Sequence, residues 1–324
     1  MSTMKRRWSW IVIGILVALT LPTFMPSAKV LFVLTTTFLF IAAAYGLFII
    51  YAYIGQLFLC QAALMGVGAY TGTILILDYG WSFWLALLPA TFLSTLIGCI
   101  VAVLLVRSHG HYFIIGSFVL GELLLLLMKR LEGLTRGSYG IAIGQYPEGF
   151  GPVQFNSVTS MYYLALAVLL LTMLMVLLIR RSNLFWKFNS IRENEPLARS
   201  LGISPRREKV IAAAFSSLPT AFAGMAYAFN QTFIDPSVFA TWISVKLIFA
   251  VIIGAVLIGH HNIGGPALGG IIVLFIPEVM GLPPIINNLV YGGMIVIVVL
   301  CSVTGVFEKL RGYAGSARRT VSTE

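Results

Sequence analysis

Two ionisable side chains lie inside long apolar stretches of this 324-residue sequence. Glu122 lies within "GSFVLGELLLLLMK", and Lys246 lies within "WISVKLIFAVIIG". A charged group placed in an apolar membrane helix costs on the order of 3 kcal/mol, so it needs a partner, water or a helix end. These residues could therefore line a path for a polar solute or form a structural ion pair. A lysine can also extend its ammonium group to the membrane interface.

Further polar residues fall in a glycine-rich stretch, "GQLFLCQAALMGVGAYTG", which contains Gln56, Gln61 and Tyr70. A second such stretch, "GAVLIGHHNIGGPALGG", lies in the other half of the chain. Paired glycine-interrupted segments are typical of transporters built from inverted repeats, with the pathway between the repeats. Small residues also allow close helix packing, so both interpretations stay open. Candidate pathway or intramembrane polar residues are Gln56, Gln61, Tyr70, Glu122 and Lys246.

Motifs for enzymatic chemistry are missing from the sequence. It has no Gly-x-x-x-x-Gly-Lys-Ser/Thr loop for ATP, no Gly-x-Ser-x-Gly elbow and no His-Glu-x-x-His helix. The pairs His109 and His111, and His260 and His261, lack the further ligands that a metal site needs. We therefore predict that this chain is not an enzyme and itself binds no cofactor or metal.

Composition identifies the elements that must position these residues. The chain is 59% hydrophobic and 10% charged, with a mean hydropathy of +0.96, which indicates an integral membrane protein. Apolar runs of about 20 residues can each cross a membrane. Ten occur, at about 9–28, 30–53, 57–77, 82–106, 112–130, 159–179, 209–231, 240–259, 264–280 and 284–306. The sequence predicts an all-α polytopic protein, a single domain over 1–324 with two inverted five-helix halves, 1–157 and 158–324.

The first run is predicted to be an uncleaved span, because Pro26 occupies a position where signal cleavage needs a small residue. With ten spans, 16 of the 21 basic residues fall on the side that holds both termini, and four on the other. The positive-inside rule makes that side cytoplasmic, with Arg192 inside and Tyr146 outside. The net charge of +10 thus reflects orientation, and nucleic acid is not an expected partner.

The main polar interruption, residues 181–208, is called the polar segment below. It contains "NSIRENEPLARSLGISP", which predicts a short helix that Asn194 caps and Gly202 ends, before Ser204 and Pro205 begin the next helix. Glu195 and Pro196 suit its first turn, and Arg199 its last. We expect Leu197, Ala198 and Leu201 to be exposed and to fit a groove on another protein. The alternative is an amphipathic helix on anionic lipid headgroups.

A second interruption, "LEGLTRGSYGIAIGQYPEGFGPVQFNS", is extracytoplasmic in this topology. It is longer than a simple turn requires, and loops of that length are often functional. It is either a docking surface or a loop packed over the helix ends.

Four stretches together resemble permease subunits of ABC importers for branched-chain amino acids, a family that also includes urea and short-amide permeases. They are "GQLFLCQAALMGVGAYTG", "HYFIIGSFVLGELLLLLMKRLEGLTRGSYGI", "RRSNLFWKFNSIRENEPLARSLGIS" and "FIDPSVFATWISVKLIFAVIIG" continuing to "GGPALGG". "IRENEPLARSLGI" is the most specific. The resemblance implies a bacterial inner-membrane protein with a second permease, two ATPases that carry ATP and Mg²⁺, and an extracytoplasmic binding protein. It implies that the ATPase contacts Glu193, Asn194, Glu195, Leu197, Ala198, Leu201 and Gly202.

Two other classes compete with this interpretation. An ion-coupled secondary transporter could use Glu122 and Lys246 as coupling groups. The other competing class is a membrane scaffold without transport activity. The short helix in the polar segment favours the importer, because a secondary transporter does not need such a helix.

Overall fold

The computed structural model describes residues 18–23, 27–108, 110–144 and 157–281, with residues 291 and 293. Within these residues six helices are long and apolar enough to cross a membrane, and two apolar helices, Gln61–Leu77 and Gly265–Val279, are shorter. The protein is therefore an all-α polytopic membrane protein. Eight of the ten predicted spans match helices. The spans at about 9–28 and 284–306 lie mostly outside the described residues, so the ten-helix repeat remains a prediction.

The helices are numbered in chain order, and several are extended by π or 3-10 turns. They are α1 (Ala28–Phe48, continued by a π-turn, Ile49–Ile54), α2 (Gln61–Leu77), α3 (Phe83–Leu105), α4 (His111–Arg130), α5 (Glu132–Thr135), α6 (Val158–Arg181), α7 (Asn183–Glu193), α8 (Glu195–Ser200), α9 (Pro205–Gln231), α10 (Thr241–Ile258), α11 (Gly265–Gly270, continued by a π-turn, Ile271–Phe275) and α12 (Ile276–Val279). The 3-10 turns are Gly137–Tyr139 and Pro236–Phe239.

Two helices form the centre of the bundle. Helix α1 packs against α6, α9 and α10, and α9 packs against α1, α2 and α3. In the most apolar stretch of α1, 83% of the residues are buried, against 28% in α3 and in α4. A helix that is apolar all round belongs inside such a bundle. Helices α3 and α4 instead turn large apolar side chains outward, as a lipid-facing surface does.

Helices α2 and α9 approach each other closely where each has a glycine. A Cβ atom at Gly68 would lie 2.6 Å from the backbone oxygen of Ala221, and one at Gly224 would lie 2.0 Å from that of Met65. Any larger residue at either position would force the helices apart. The first glycine-rich stretch therefore has the packing role that small residues commonly have between membrane helices.

The end of α1 departs from regular helix. The π-turn Ile49–Ile54 ends at Gly55, whose φ of +83° lies in the left-handed region that glycine adopts readily. The chain then stays irregular until Gln61, so α2 begins later than the predicted start near residue 57. π-turns are rare and occur often at functional sites.

A short β-ladder accompanies the helices. Strand β1 (Ile141–Ala142) pairs antiparallel with β2 (Phe233–Ile234), which directly follows α9. The pairing holds the predicted extracytoplasmic loop against the end of α9, as far as Ile143, whose amide donates to the Thr232 carbonyl. Its Arg136 also forms an exposed ion pair with Asp78 at 3.0 Å. This part of the loop is packed over the helix ends, while residues 145–156, including Tyr146, lie outside the described residues.

Candidate functional site

The polar segment folds locally as its sequence predicts. The Asn194 side chain accepts a hydrogen bond from the Leu197 amide at 3.0 Å and so caps α8. At the other end Gly202 is left-handed, with a φ of +82°. The Gly202 amide donates to the Arg199 carbonyl at 3.1 Å, and the Ile203 amide donates to the Ala198 carbonyl at 3.0 Å. These two bonds form a Schellman motif, which fixes the last turn of α8.

The exposed face of α8 is narrower than predicted. Leu197 and Leu201 are 56% and 70% exposed, as expected, and lie four residues apart on one face. Ala198 is only 1% exposed, so the prediction that it belongs to this face is wrong. One residue further along a helix lies about 100° around its axis. Ala198 therefore points toward α7 and α9, against which α8 packs.

Glu195 connects α8 to the start of α9. Its carboxylate accepts a hydrogen bond from the Lys209 ammonium group at 2.8 Å, and the Lys209 side chain is only 4% exposed. Glu195 also pairs with Arg199 on α8 at 3.5 Å. A nearby pair, Lys187 and Glu208 at 3.6 Å, links α7 to α9. The acidic residue predicted to face a partner thus holds the short helix on the bundle. Its neighbour Glu193 is exposed and accepts from Asn189 at 2.8 Å.

Arg192, at the end of α7, was predicted only to mark the cytoplasmic side. Its guanidinium group donates a hydrogen bond to the Ala52 carbonyl, in the π-turn of α1. Partial burial lowers the pKa of Arg192 below its ordinary value, while Tyr51 and Glu193 act in the opposite direction. The sequence carried no signal for this contact, because 140 residues separate its two partners.

An open groove of about 430 Å³ lies beside α8. Its lining contains two arginines and the residues that end α8 and begin α9: Arg199, Gly202, Ile203, Ser204, Pro205 and Arg206. With Leu197 and Leu201 adjacent, this end of the protein presents apolar side chains on a basic background. Such a surface suits a partner with an apolar pocket and acidic side chains.

Gln61 lies at the meeting point of three helices and is fully buried. Its side-chain amide donates to the carbonyls of Ala43 and Ser216, each at 3.3 Å, and to the Thr220 hydroxyl. The Ser216 hydroxyl donates back to the Gln61 side-chain oxygen at 3.2 Å. Buried amides stabilise a bundle when their hydrogen bonds are satisfied. Gln61 is therefore an intramembrane polar residue that joins α1, α2 and α9.

Gln56 and Tyr70 have different surroundings. Gln56 lies in the irregular stretch after Gly55 and lines a very small cavity, of about 10 Å³, that Lys209 and Phe113 also line. Tyr70 is 3% exposed, and its ring meets that of Phe239 edge to face at 6.3 Å between centroids. Its hydroxyl is buried and has no hydrogen-bond partner among the described residues.

The two ionisable residues within spans have separate partners. The carboxylate of Glu122, on α4, accepts a hydrogen bond from the Thr241 hydroxyl on α10. The ammonium group of Lys246 lies over two aromatic rings, 4.8 Å from the centroid of Tyr291 and 5.6 Å from that of Trp242. Cation–π contacts of this kind stabilise a partly desolvated ammonium group. Thr241 and Lys246 are five residues apart and so point in directions about 140° apart around α10.

His260 and His261 lie in the turn between α10 and α11. The ring of His260 meets that of Tyr51 at 5.2 Å, and the ring of His261 lies 6.3 Å from Tyr53 and 5.8 Å from Phe185. These contacts place the turn on the end of α1 and on α7. Among the described residues no group of three or more potential metal ligands occurs. His109 lies outside those residues.

The apolar helices, the glycine crossing and the capped polar segment define a multi-pass helical membrane protein. A family model described as "Branched-chain amino acid transport system / permease component" matches residues 29–299. The chain belongs to this family of transport permeases, as the sequence resemblance predicted.

Two relatives are the high-affinity branched-chain amino acid transport system permease proteins LivM of Escherichia coli (strain K12) and Salmonella typhimurium (strain LT2). Each is 26% identical over 333 residues, covering 96% of this chain and 77% of the relative. No solved structure matches.

Proposed function

We propose that this chain is the membrane permease subunit of an ATP-driven importer for branched-chain amino acids. The substrate class is taken from the family and from the names of the two relatives. The observation that supports ATP coupling best is α8, a helix fixed at both ends that presents Leu197 and Leu201 outward. A rigid, exposed apolar pair of this kind has little function in the membrane itself and suits docking to another protein.

In this proposal α8 docks on a cytoplasmic ATPase. Leu197 and Leu201 enter an apolar pocket of the ATPase, and the arginines of the neighbouring groove face its acidic side chains. Docking costs little conformational entropy, because the Asn194 cap and the Glu195 ion pair already fix α8. The sequence has no phosphate-binding loop, so ATP and Mg²⁺ would be held by the ATPase subunits.

The complete importer would contain a second permease chain, two ATPase subunits and an extracytoplasmic binding protein that delivers the amino acid. Both termini and the polar segment would lie in the cytoplasm, as the distribution of basic residues indicates. A bacterial inner membrane is the expected location. The ion-coupled alternative has less support, because Glu122 and Lys246 each have a different partner.

Reconstitution in proteoliposomes tests the proposal. The chain, its partner permease and the ATPases would be supplied with a leucine-loaded binding protein outside the vesicles, and ATP and Mg²⁺ inside. We expect leucine uptake that needs both ATP and the ATPase, and that a proton or sodium gradient cannot replace. Uptake driven by a gradient in the absence of ATP would contradict the proposal. Uptake of urea or a short amide in place of leucine would contradict the substrate class alone.

A further inference from the structure

Arg192 lies where the polar segment meets the central helix α1. Its guanidinium group donates to the Ala52 carbonyl, and its side-chain stem lies over Gly55. A Cβ atom at Gly55 would be 2.8 Å from the Cγ atom of Arg192. Gly55 therefore leaves room for the arginine as well as adopting the left-handed turn that ends α1.

The π-turn leaves the Ala52 carbonyl available to this arginine. The Gly55 amide donates to the carbonyls of Ile50 and Tyr51, at 3.0 and 3.2 Å. The last carbonyl groups of a helix need partners from outside the helix, and the negative end of the helix dipole favours a cation there. Arg192 supplies both a donor and a positive charge at the end of α1.

The turn between α10 and α11 also contacts the end of α1. His260 and His261 meet the rings of Tyr51 and Tyr53, and the Tyr45 hydroxyl donates to the Ile263 carbonyl at 2.7 Å. The end of α1 is thus in contact with α7 on one side and with the turn between α10 and α11 on the other. A displacement of the polar segment would reach both.

We propose that Arg192 is a positioning residue that joins α8 to the end of α1, so that movement of α8 is transmitted to the central helix. The connection from Arg192 to α8 is short, because one residue separates Arg192 from Asn194, the cap of α8. The Glu195 pair with Lys209 makes the corresponding connection from α8 to α9. Both central helices of the bundle are then attached to the same docking element. This inference rests on the proposed importer function.

The first test compares leucine uptake per ATP hydrolysed in the reconstituted importer. Arg192→Met keeps Leu197 and Leu201 exposed, so binding of the ATPase should persist. Uptake per ATP should fall at least about fivefold, the lower end of typical couplings between sites. Arg192→Lys should recover part of the loss, because an ammonium group can also donate to the Ala52 carbonyl. Arg207→Met, which changes an exposed arginine at the start of α9, is the matched control and should match the wild type.

A second variant tests the same contact from the side of α1. Gly55→Ala keeps the charge of Arg192, but its Cβ atom displaces the arginine stem and strains the left-handed turn, so it should also lower uptake per ATP. The double variant should be no worse than the worse single variant, because both break the same contact. The inference would be overturned if Arg192→Met took up as much leucine per ATP as the wild type. Additive losses of uptake in the double variant would also overturn it.

Hydrogen exchange gives a readout that does not depend on transport. In purified Arg192→Met, peptides covering residues 49–56 should exchange faster than in the wild type, while those from α3 should not change. Unchanged exchange at 49–56 would overturn the inference even if the importer function is correct. Failure of the wild type to take up leucine with ATP would instead contradict the proposed function, and the exchange result would still decide the contact.

Discussion

The ammonium group of Lys209 lies 2.8 Å from the carboxylate of Glu195, and this ion pair holds the short helix α8 on the first turns of α9. Lys209 is 4% exposed and Glu195 is 16% exposed, so water weakens the interaction less than in a surface pair. The orientation of α8 therefore depends on a contact that the permease makes within itself.

Removing one member of this ion pair should destabilise the permease more than removing both members. Lys209→Met removes the buried partner of the Glu195 carboxylate, which keeps its exposed pair with Arg199, and we expect a loss of about 1 to 3 kcal/mol in the free energy of unfolding. Lys209→Met combined with Glu195→Leu replaces the pair by apolar groups and should recover much of that loss. Thermal unfolding of the purified permease in detergent measures this. Equal destabilisation by the single and double variants would contradict a role for the pair itself.

The left-handed end of α8 gives a second prediction. Gly202→Val should cost roughly 1 kcal/mol or more at this position, because a β-branched side chain disfavours a φ near +82°. The last turn of α8 should fray, and retention of the ATPase in a pull-down should fall while membrane insertion stays normal. Gly202→Asn is the control, since asparagine tolerates the left-handed region better. Equal retention by the valine variant and the wild type would show that the rigid end is not needed.

Gln61 gives a prediction about stability. Gln61→Leu removes the amide that joins three helices and leaves the Ser216 hydroxyl without this acceptor. We expect a destabilisation of about 1 to 3 kcal/mol, seen as a lower midpoint of thermal unfolding. Gln56→Leu, at a partly exposed position in the irregular stretch, should have a smaller effect. A Gln61→Leu variant as stable as the wild type would argue that this network adds nothing to the bundle.

Glu122 gives a prediction about transport. Glu122→Leu removes a costly charge from a span, so protein levels should hold. Uptake should fall, because the carboxylate lines the pathway or pairs inside the bundle. Thr241→Val removes the hydrogen bond but leaves the charge in place. Normal uptake by a normally expressed Glu122→Leu variant would leave Glu122 with a structural role only. Equal losses in both variants would indicate that the hydrogen bond between α4 and α10 matters more than the charge.

Local chemistry explains which parts of the fold the sequence could predict. Apolar runs located eight described helices, because length and composition alone determine whether a segment can span a membrane. The ends of α8 were predictable from Asn194, Pro196 and Gly202, because capping depends on residues within one turn.

Contacts between distant residues explain what the sequence could not predict. Gln61 and Ser216 are 155 residues apart, and Arg192 and Ala52 are 140 apart. No local pattern records such pairings. The burial of Ala198 was missed for the same reason, since the sequence does not show which side of α8 packs on α7 and α9.

The most direct test of the central claim is whether the apolar face of α8 holds the ATPase. Leu197→Asp and Leu201→Asp each put a charge on that face at an exposed position, so the permease should insert and fold normally. Leu197→Met and Leu201→Met keep the face apolar and serve as controls. In a pull-down of the ATPase from detergent-solubilised membranes, we predict loss of at least about tenfold in retained ATPase for the aspartate variants, because a desolvated, unpaired charge at an interface is costly. Undiminished retention of the ATPase by both aspartate variants would contradict the claim that α8 is the docking helix.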